Sequence, residues 1–458
     1  MSQPAGNSPA SRDIAYVMHG YTDHEAHKEQ GPHILQGGKG IYVYDDTGKE
    51  FIEGMAGLWC TSLGYGEKRL IDAATEQLKK LAYSHLFAGK SHDPVIDLAE
   101  RLVEMAPAPM SKVFFNNSGS EGNDTVVKLV WYYNNAIGRP EKKKIISRIK
   151  GYHGVTVASA SMTGLPNNHR DFDLPIANIL HTSCPHYYRF GEEGESEEDF
   201  ATRCAAELES MILDEGPETV AAFIAEPVMG AGGVIVPPKT YFEKVQAVLK
   251  KYDVLFIADE VICGFGRTGK MWGSETYNLQ PDMITCAKAL SSAYLPISAV
   301  MINEKVADAI VKNSGKIGTL GHGYTYMGHP VAAAVALETL KIYEERDIIA
   351  HIGEIAPRMQ TRLQSYADHP MVGEVRGVGL VGALELVKDK ESKESYDPAG
   401  KVGGYLVNRA KDHGLILRNI VDSVAFSPPL VITGKELDSV FDRFEKALEE
   451  TMPFAAGL

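Results

Sequence analysis

Val220-Ala-Ala-Phe-Ile-Ala225 and, one predicted helix later, Val254-Leu-Phe-Ile-Ala-Asp259 form the stretch of sequence that decides the fold. Both are short apolar runs, which is typical of strands buried on both faces of a sheet. Between them, apolar residues recur at intervals of three and four and predict one face of a helix; they are Tyr241, Phe242, Val245, Val248, Leu249 and Tyr252. This strand-helix-strand unit predicts an α/β protein with a parallel sheet.

Further apolar runs on both sides extend the predicted sheet; they are Lys112-Val-Phe-Phe115, Lys144-Ile-Ile-Ser147 and Met283-Ile-Thr285. Ligands of such sheets bind beyond the carboxyl ends of the strands. Each of the five predicted strands is followed there by a residue able to serve a ligand: Ser118, Tyr152, Glu226, Asp259 and Lys288. The sequence therefore predicts one site, at one edge of the sheet.

Lys288 and Asp259 are the most informative pair among these residues. A lysine carried into an apolar cleft loses hydration as the ammonium, so its pKa falls and its amine can condense with an aldehyde. A buried carboxylate can keep the ring nitrogen of pyridoxal phosphate protonated, which this cofactor needs as an electron sink. A surface lysine and a helix-capping aspartate are the simpler interpretation of two arbitrary residues. Their shared context favours a pyridoxal-phosphate site.

The stretch Asn116-Asn-Ser118-Gly119-Ser120-Glu121 lies between a predicted strand and a predicted helix. Glycine, hydroxyl groups and the unpaired N–H groups of a helix start suit the binding of a phosphate. Ser118 and Glu121 also fit a capping box, so a purely structural role is an equal alternative for this motif alone. Nearby, the turn Gly151-Tyr152-His153-Gly154 offers Tyr152 for stacking on a flat ring, although a turn tyrosine is more often ordinary packing.

Composition restricts the class of protein. The 458 residues carry a formal charge of −14, which argues against nucleic acid or an anionic membrane as a partner. Five dispersed cysteines without a C-x-x-C motif indicate neither a disulfide framework nor a zinc site, and they fit a cytoplasmic location. No histidine shows the spacing of a metal site, so we expect no metal. No apolar stretch of about 18 residues indicates a transmembrane helix.

The chain divides into three predicted parts. Residues 1–70 form an amino-terminal arm, flexible at its start, and contribute a strand pair to a smaller α+β domain. Residues 71–329 form the large cofactor-binding domain, and residues 330–458 form the carboxy-terminal small domain. The acidic segment 191–200 is most simply a solvated insertion.

Taken in order, a set of short motifs resembles the class III aminotransferases, specifically the amine:pyruvate or ω-transaminases. The motifs are Ser118-Gly-Ser-Glu121, Gly151-Tyr-His-Gly154, Glu226-Pro-Val-Met-Gly230, Asp259-Glu-Val261, Lys288 and Gly323-Tyr-Thr325-Tyr. The resemblance covers roughly residues 15 to 450. It implies the type I pyridoxal-phosphate transferase fold, in which a mostly parallel seven-stranded sheet lies between helices. It also implies a homodimer with active sites at the subunit interface.

The resemblance assigns roles to the cofactor-binding residues. It implies that Lys288 forms the Schiff base, Asp259 holds the ring nitrogen, and Val261 and Tyr152 sandwich the ring. The residues implied to bind the phosphate are Ser118, Gly119 and Ser120, with Thr325 of the partner subunit; Glu226 and His153 have supporting roles.

A substrate pocket is also implied by the resemblance. Its lining residues are Tyr21, Leu58, Trp59, Phe87, Tyr152, Val155 and Ala231, with Phe87 donated across the interface. Arg418 matches a mobile arginine that receives a substrate carboxylate, a group that a guanidinium binds through two parallel hydrogen bonds. Three positions depart from the family pattern: Gly122, Ala293 and Trp131.

These observations predict an aminotransferase that works by two half-reactions. A primary amine, arylalkyl or aliphatic, first converts the cofactor to pyridoxamine phosphate, and pyruvate then takes up the amino group to give alanine. Lys288 carries the proton between the substrate and the cofactor. The alternatives are another reaction on the same scaffold, such as that of an aminomutase or a decarboxylase, and a protein that binds the cofactor without turnover.

Overall fold

The computed structural model describes residues 6–458, so the first five residues of the predicted arm lie outside it. Its strands are β1 (Leu35–Lys39), β2 (Tyr42–Asp45), β3 (Glu50–Glu53), β4 (Lys112–Asn116), β5 (Lys144–Arg148), β6 (Ile179–Thr182), β7 (Val220–Ala225), β8 (Leu255–Asp259), β9 (Met283–Cys286), β10 (Ser298–Ile302), β11 (Val372–Val378), β12 (Val381–Leu386), β13 (Leu415–Ile416), β14 (Arg418–Ile420) and β15 (Ser423–Phe426).

Helices alternate with these strands. The α-helices are α1 (Pro9–Tyr16), α2 (His24–Gln30), α3 (Ala56–Trp59), α4 (Lys68–Lys80), α5 (Asp93–Glu104), α6 (Gly119–Ala136), α7 (Val157–Met162), α8 (Tyr187–Phe190), α9 (Glu197–Glu215), α10 (Tyr241–Lys251), α11 (Gly273–Thr276), α12 (Glu304–Ile317), α13 (Pro330–Glu345), α14 (Ile348–Gln364), α15 (Lys401–Asp412) and α16 (Gly434–Ala455). Short 3-10 helices span Phe87–Gly89, Pro166–Asn168 and Lys288–Ser291. Within residues 6–458, none of the helices combines the length and the apolar character needed to cross a membrane.

Seven strands form the central sheet in the order β4-β10-β9-β8-β7-β5-β6. β10 runs antiparallel to both of its neighbours, and the remaining neighbouring pairs are parallel. The predicted mostly parallel seven-stranded sheet is therefore confirmed. Its parallel strands all direct their carboxyl ends toward one edge, where the sequence predicts the site.

The centre of this sheet is built from the two apolar runs that decide the fold. Every residue of β7 and β8 is buried. α10 packs against them and buries Tyr241, Phe242, Val245 and Leu249. Each such side chain contributes about 1.5–3 kcal/mol by leaving water. On the other face, α6 buries Val126, Val130 and Tyr133, and Ile137, which follows the helix, is exposed.

Two smaller four-stranded sheets, β1-β2-β3-β13 and β11-β12-β15-β14, complete the fold. β3 pairs in parallel with β13, with Ile52 opposite Leu415 and Glu53 opposite Ile416. This pairing joins the start of the chain to its carboxy-terminal part. The predicted domain boundaries at residues 70 and 330 stay predictions; α13, which begins at Pro330, packs against α4 and α5.

The amino-terminal segment differs from the flexible arm that the sequence predicts, because α1 begins at Pro9. The Ser8 hydroxyl accepts the N–H of Ser11 at 3.1 Å. Serine at the cap position followed by proline is a favoured helix start, because the proline lacks only an N–H that would have no partner there. The Ser8-Pro9 pair was the signal for this helix.

Candidate active site

A cavity of about 400 Å³ opens at the carboxyl edge of the central sheet. Most of the predicted site residues line it: Tyr21, Leu58, Trp59, Ser118, Gly119, Ser120, Tyr152, His153, Glu226, Ala231, Asp259, Val261, Lys288 and Arg418. Most of them lie at or after the carboxyl ends of β4, β5, β7, β8 and β9, whereas Tyr21, Leu58, Trp59 and Arg418 come from other parts of the chain. The convergence follows from the parallel strands, which end side by side.

Lys288 follows β9 directly and has a left-handed φ of 48°. Such backbone is uncommon for a residue with a side chain and is concentrated at functional sites. Burial lowers the pKa of Lys288 below its ordinary value, and the charge of Arg418 lowers it further against the opposing effect of nearby acidic groups. The amine is therefore biased toward its neutral, nucleophilic form.

Asp259, the last residue of β8, is buried beneath the cavity. One of its carboxylate oxygens lies 2.7 Å from Nδ1 of His153 and accepts the side-chain amide of Asn123 at 2.8 Å. The other oxygen accepts the N–H of Val261 at 3.1 Å. These three contacts fix the direction of the carboxylate. The group is thereby prepared to hold a proton on a cofactor nitrogen.

Ser118 caps α6, since its hydroxyl accepts the N–H of Glu121 at 3.2 Å. The carboxylate of Glu121 returns to the N–H of Asn117 at 2.8 Å, one residue earlier than a capping box requires. The capping role left open by the sequence is thus real. It is compatible with phosphate binding, because a helix start offers four N–H groups without intrahelical partners.

The space around this helix start requires glycine. A Cβ on Gly119 would lie 3.0 and 3.1 Å from the two methyl carbons of Val261, and a Cβ on Gly154 would lie 2.6 Å from the Ser120 hydroxyl. Val261 therefore closely approaches the backbone that would cradle a phosphate. A lysine amine, a buried carboxylate and a helix start on the walls of one cavity fit pyridoxal phosphate in size and chemistry.

Glu226 joins two loops of the cavity. Its carboxylate oxygens accept the N–H of Tyr152 and the N–H of Gly230, each at 2.9 Å. Burial raises the pKa of Glu226, and it also raises the pKa of the Tyr152 phenol, which stays neutral at ordinary pH. The Tyr152 turn is thereby tied to the loop that carries Ala231.

Trp59 forms a wall shared by two cations. The Lys288 nitrogen lies 5.7 Å from the centre of its ring, and the Arg418 guanidinium lies 5.1 Å from the same centre. Both distances suit a cation–π contact. Leu58 and Ala231 add apolar surface nearby, so the cavity combines an apolar wall with one permanent positive charge.

Three predicted site residues do not line the cavity of their own chain: Val155, Phe87 and Thr325. Val155 differs from the prediction, because its N–H donates to the Ser120 hydroxyl at 3.1 Å while its side chain is exposed. Phe87 and Thr325 are both exposed, and the Phe87 ring lies against the segment that precedes Thr325. A Cβ on Gly323, two residues before Thr325, would lie 2.5 Å from the Phe87 ring.

Sequence reasoning missed several residues of the cavity, including Asn117, Asn123, Cys60 and the segment 293–297. Asn123 lies inside α6 and is almost fully buried, and its amide donates both to Asp259 and to the carbonyl of His153 at 2.7 Å. The only signal in the sequence for a role of this residue was an asparagine within the predicted helix, five residues after its cap. Its partners belong to other strands and cannot be identified from local sequence.

The three departures from the family pattern have local explanations. A Cβ on Gly122 would lie 2.8 Å from the methyl carbon of Thr285, so glycine suits this packing. Ala293 has a left-handed φ of 61°, which explains why glycine is frequent there. Trp131 donates its indole N–H to the carbonyl of Lys143 at 2.9 Å.

The absence of a metal stays a prediction. Among residues 6–458, two groups of side chains bring possible ligand atoms within 4.8 Å of one another: Asp13, His19 and His27, and His186, Glu374 and Glu385. In the second group, a guanidinium nitrogen of Arg376 lies 2.6 Å from both carboxylates. The negative charge of Glu374 and Glu385 is therefore already partly compensated by Arg376. Neither of the two groups borders the cavity.

Comparison with known proteins agrees with this geometry. The family model described as aminotransferase class-III matches residues 24–448. A chloroplastic gamma aminobutyrate transaminase of Solanum lycopersicum is 55% identical over 421 residues, which cover 92% of this chain and 81% of that relative. A mitochondrial gamma-aminobutyrate transaminase of Oryza sativa subsp. japonica is 54% identical, covering 93% of this chain and 83% of the relative.

Solved structures show the same fold. An omega transaminase from Pseudomonas jessenii in complex with PMP (pyridoxamine phosphate) superposes with a TM-score of 0.97 at 57% identity, covering 98% of this chain and 99% of that one. A transaminase with L-alanine has a TM-score of 0.91 at 59% identity, covering 92% and 99%. The chain therefore belongs to the class III aminotransferases, which use pyridoxal phosphate and have the type I fold.

Proposed function

We propose that this aminotransferase moves the amino group of a primary amine, arylalkyl or aliphatic, to pyruvate, which becomes alanine. The observation that carries the proposal is the pairing of Arg418 with Trp59 in one cavity. The apolar wall of Trp59, Leu58 and Ala231 suits the body of a neutral amine, and the guanidinium suits the carboxylate of a keto acid. One cavity can therefore accept both substrates in turn, as two half-reactions require.

The side chains have distinct tasks in this proposal. When bound, pyridoxal phosphate supplies an electron sink for the bond that breaks at the substrate carbon. Lys288 would hold the cofactor through Nζ, and the same nitrogen, when free, would move a proton at the substrate carbon. Asp259 would hold a proton on the ring nitrogen, and Tyr152 and Val261 would hold the ring. Ser118, Gly119 and Ser120 would bind the phosphate.

The supporting residues act by orientation. His153 contacts the Asp259 carboxylate, and Glu226 ties the backbone of Tyr152 to that of Gly230. Neither needs to exchange a proton with substrate. Their hydrogen bonds keep the cofactor partners in place while substrates are exchanged.

A second candidate donor is 4-aminobutyrate. Several relatives are named gamma-aminobutyrate transaminases, and such a donor carries a primary amine at one end and a carboxylate at the other. Arg418 is the observation that favours it, because this guanidinium reaches the cavity and can receive that carboxylate.

We also propose a homodimer whose partner subunit completes each site. Phe87 and Thr325 support this, because both are exposed outside the cavity of their own chain and the Phe87 ring lies against Gly323, two residues before Thr325. In a symmetric dimer, one surface of each chain meets the other chain, so both cavities are completed in the same way. A cytoplasmic location is a further proposal, supported by five free cysteines; fractionation of the source cells tests it.

Product analysis tests the proposed reaction. The holoenzyme is incubated with pyruvate and either 1-phenylethylamine or 4-aminobutyrate, and the carbonyl product and alanine are quantified. We expect equimolar ketone and alanine from 1-phenylethylamine, and parallel double-reciprocal plots as the second substrate is varied. Carbon dioxide or a rearranged amine as the product would instead identify a decarboxylase or an aminomutase.

A further inference from the structure

We propose that Glu53 is a positioning residue for substrate specificity, whose carboxylate holds the turn Ala56–Trp59 and thereby the Trp59 wall of the cavity. Glu53 does not line the cavity itself. The inference rests on the proposed function in so far as it concerns which amines the cavity admits. Its structural part concerns only how the turn is held, and it can be tested separately.

The turn that carries Leu58 and Trp59 has an unusual backbone. Ala56, Gly57 and Trp59 have left-handed φ values of 47°, 65° and 56°. Residues with side chains rarely adopt this region, and they remain there only where the surroundings hold them. The Trp59 wall therefore depends on an anchor outside the turn.

Glu53 provides this anchor from the end of β3. Its side chain is buried, and one carboxylate oxygen accepts the N–H of Met55 at 3.0 Å. The amides of Met55 and Gly57 lower the pKa of Glu53, but burial outweighs them and raises it to about 7. The phenol of Tyr65 faces the same group, and burial together with the charge of Glu53 raises the pKa of Tyr65 to about 12.

The partners of this carboxylate are backbone amides and not a cation. A buried carboxylate without a counter-ion is costly, and apolar side chains usually fill such positions at least as well. The presence of a carboxylate at this buried position is explained by the hydrogen bonds that it accepts from backbone amides. Both of those amides belong to residues at the start of the turn that carries Trp59.

A short series of contacts connects Glu53 with the wall of the cavity. The N–H of Trp59 donates to the carbonyl of Met55 at 2.9 Å, so the residue that Glu53 binds also holds Trp59. The N–H of Leu58 donates to the sulfur of Cys60 at 3.4 Å. The Trp59 ring then lies against Lys288 and Arg418.

Arg418 is tied to the same place. Glu53 lies opposite Ile416 in the β3–β13 pair, and the N–H of Gly54 donates to the carbonyl of Ile416 at 3.0 Å. Arg418 follows two residues later. Glu53 therefore lies where the segment that leads to Trp59 is hydrogen-bonded to the segment that leads to Arg418.

Amide hydrogen exchange of the holoenzyme tests the anchor without using catalysis. Glu53→Gln keeps the shape of the side chain but removes its charge, and Glu53→Asp keeps the charge on a shorter side chain. Asp422→Asn is the matched control. Asp422 is also a buried carboxylate, and it accepts the N–H groups of Gly400 and Gly403 at 2.7 and 2.8 Å, away from the cavity.

At about pH 8, where the wild-type Glu53 carboxyl is ionised, we expect peptides covering residues 54–61 to exchange roughly tenfold faster in Glu53→Gln, and we expect Glu53→Asp to lie between this variant and the wild type. Asp422→Asn should leave these peptides unchanged and accelerate exchange around residues 400–404 instead. Unchanged exchange of residues 54–61 in Glu53→Gln would overturn the proposal.

Kinetics test the part that concerns specificity. In Glu53→Gln we expect kcat/KM for 1-phenylethylamine to fall roughly tenfold, with less than about a twofold change for alanine as the donor, because alanine needs little of the apolar wall. Equal losses for both donors would refute a role in specificity. A wild-type enzyme that does not use 1-phenylethylamine would refute the proposed donor, while the exchange of residues 54–61 still decides whether Glu53 holds the turn.

Discussion

Lys288 and Arg418 lie against the same aromatic ring, that of Trp59. Both cations lie within 6 Å of the centre of Trp59, and both are poorly hydrated. Two positive charges in such a cavity oppose each other, and the guanidinium keeps its proton because its ordinary pKa is the higher one. The lysine therefore gives up its proton more readily. Burial is the main cause of the lowered pKa of Lys288, and the Arg418 guanidinium adds to it.

Removing the Arg418 guanidinium should change the KM for one substrate and leave the KM for the other nearly unchanged. We expect Arg418→Ala to raise the KM for pyruvate by roughly 10- to 100-fold, the equivalent of about 1.5–3 kcal/mol for hydrogen bonds to a charged group. The KM for 1-phenylethylamine should change little, because this donor has no carboxylate. Steady-state kinetics with each substrate varied in turn measures both values. Equal effects on the two substrates would contradict the assignment.

Enlarging Ala231 should restrict the apolar side of the cavity. Ala231→Leu adds volume to the lining, and overpacking of this kind costs about 1–3 kcal/mol. We expect kcat/KM for 1-phenylethylamine to fall at least about tenfold and that for alanine to fall much less. The rate with 1-phenylethylamine is measured with pyruvate as the acceptor, and the rate with alanine is measured with a different keto acid as the acceptor. Similar losses for both would mean that Ala231 does not limit donor size.

Buried carboxyl groups lie at or just after the ends of three strands and accept hydrogen bonds from neighbouring backbone segments. Glu53 at the end of β3, Glu226 after β7 and Glu260 after β8 all accept backbone N–H groups. Burial raises the pKa of each, to about 7 for Glu53 and Glu260. Each carboxyl group thereby holds the backbone of a segment outside its own strand; for Glu260 this is the start of α11.

This arrangement gives a pH dependence with a defined sign. From about pH 4.5 to pH 7, Glu53 is ionised in the unfolded chain but still protonated in the folded one, so the free energy of unfolding falls as the pH rises. Glu53→Gln lacks this loss, which amounts to at most about 3.5 kcal/mol, since one pKa unit corresponds to about 1.4 kcal/mol. The melting temperature of the variant relative to wild type should therefore increase between pH 5 and pH 8. A constant or decreasing difference would contradict the assigned pKa direction.

The elements that carry the site could be predicted because their signals are local. Apolar runs predict β7 and β8, intervals of three and four predict α10, and parallel strands place Asp259 and Lys288 at one edge. Glu53 and Asn123 could not be assigned in this way. Their roles depend on which distant amide or carboxylate faces them, and this is set by packing between elements.

At the scale of the whole molecule, the cavity of one chain lacks Phe87 and Thr325. The family resemblance assigns these residues to the partner subunit, and the surface that they share supports this assignment. Local sequence cannot reveal a contact between chains. Symmetry then requires that the two sites of a dimer be completed in the same way.

Mixing two defective variants should restore activity if Thr325 acts across the interface. Lys288→Ala lacks the lysine in both sites, and Thr325→Ala weakens the phosphate contact, so each homodimer should be inactive at limiting cofactor. In a mixed dimer, one site contains neither substitution. Coexpression should therefore recover about a quarter of the wild-type activity per subunit, the statistical share of intact sites. No recovery would indicate that both residues act within one chain.

The most direct test of the central claim is the visible absorption of the holoenzyme during stepwise addition of 1-phenylethylamine and then pyruvate. We expect the cofactor band to fade with the amine and to return with pyruvate, with one equivalent each of acetophenone and alanine, and we expect Lys288→Ala to show no turnover. A wild-type band that returns without alanine, or near-normal turnover by Lys288→Ala, would contradict the account.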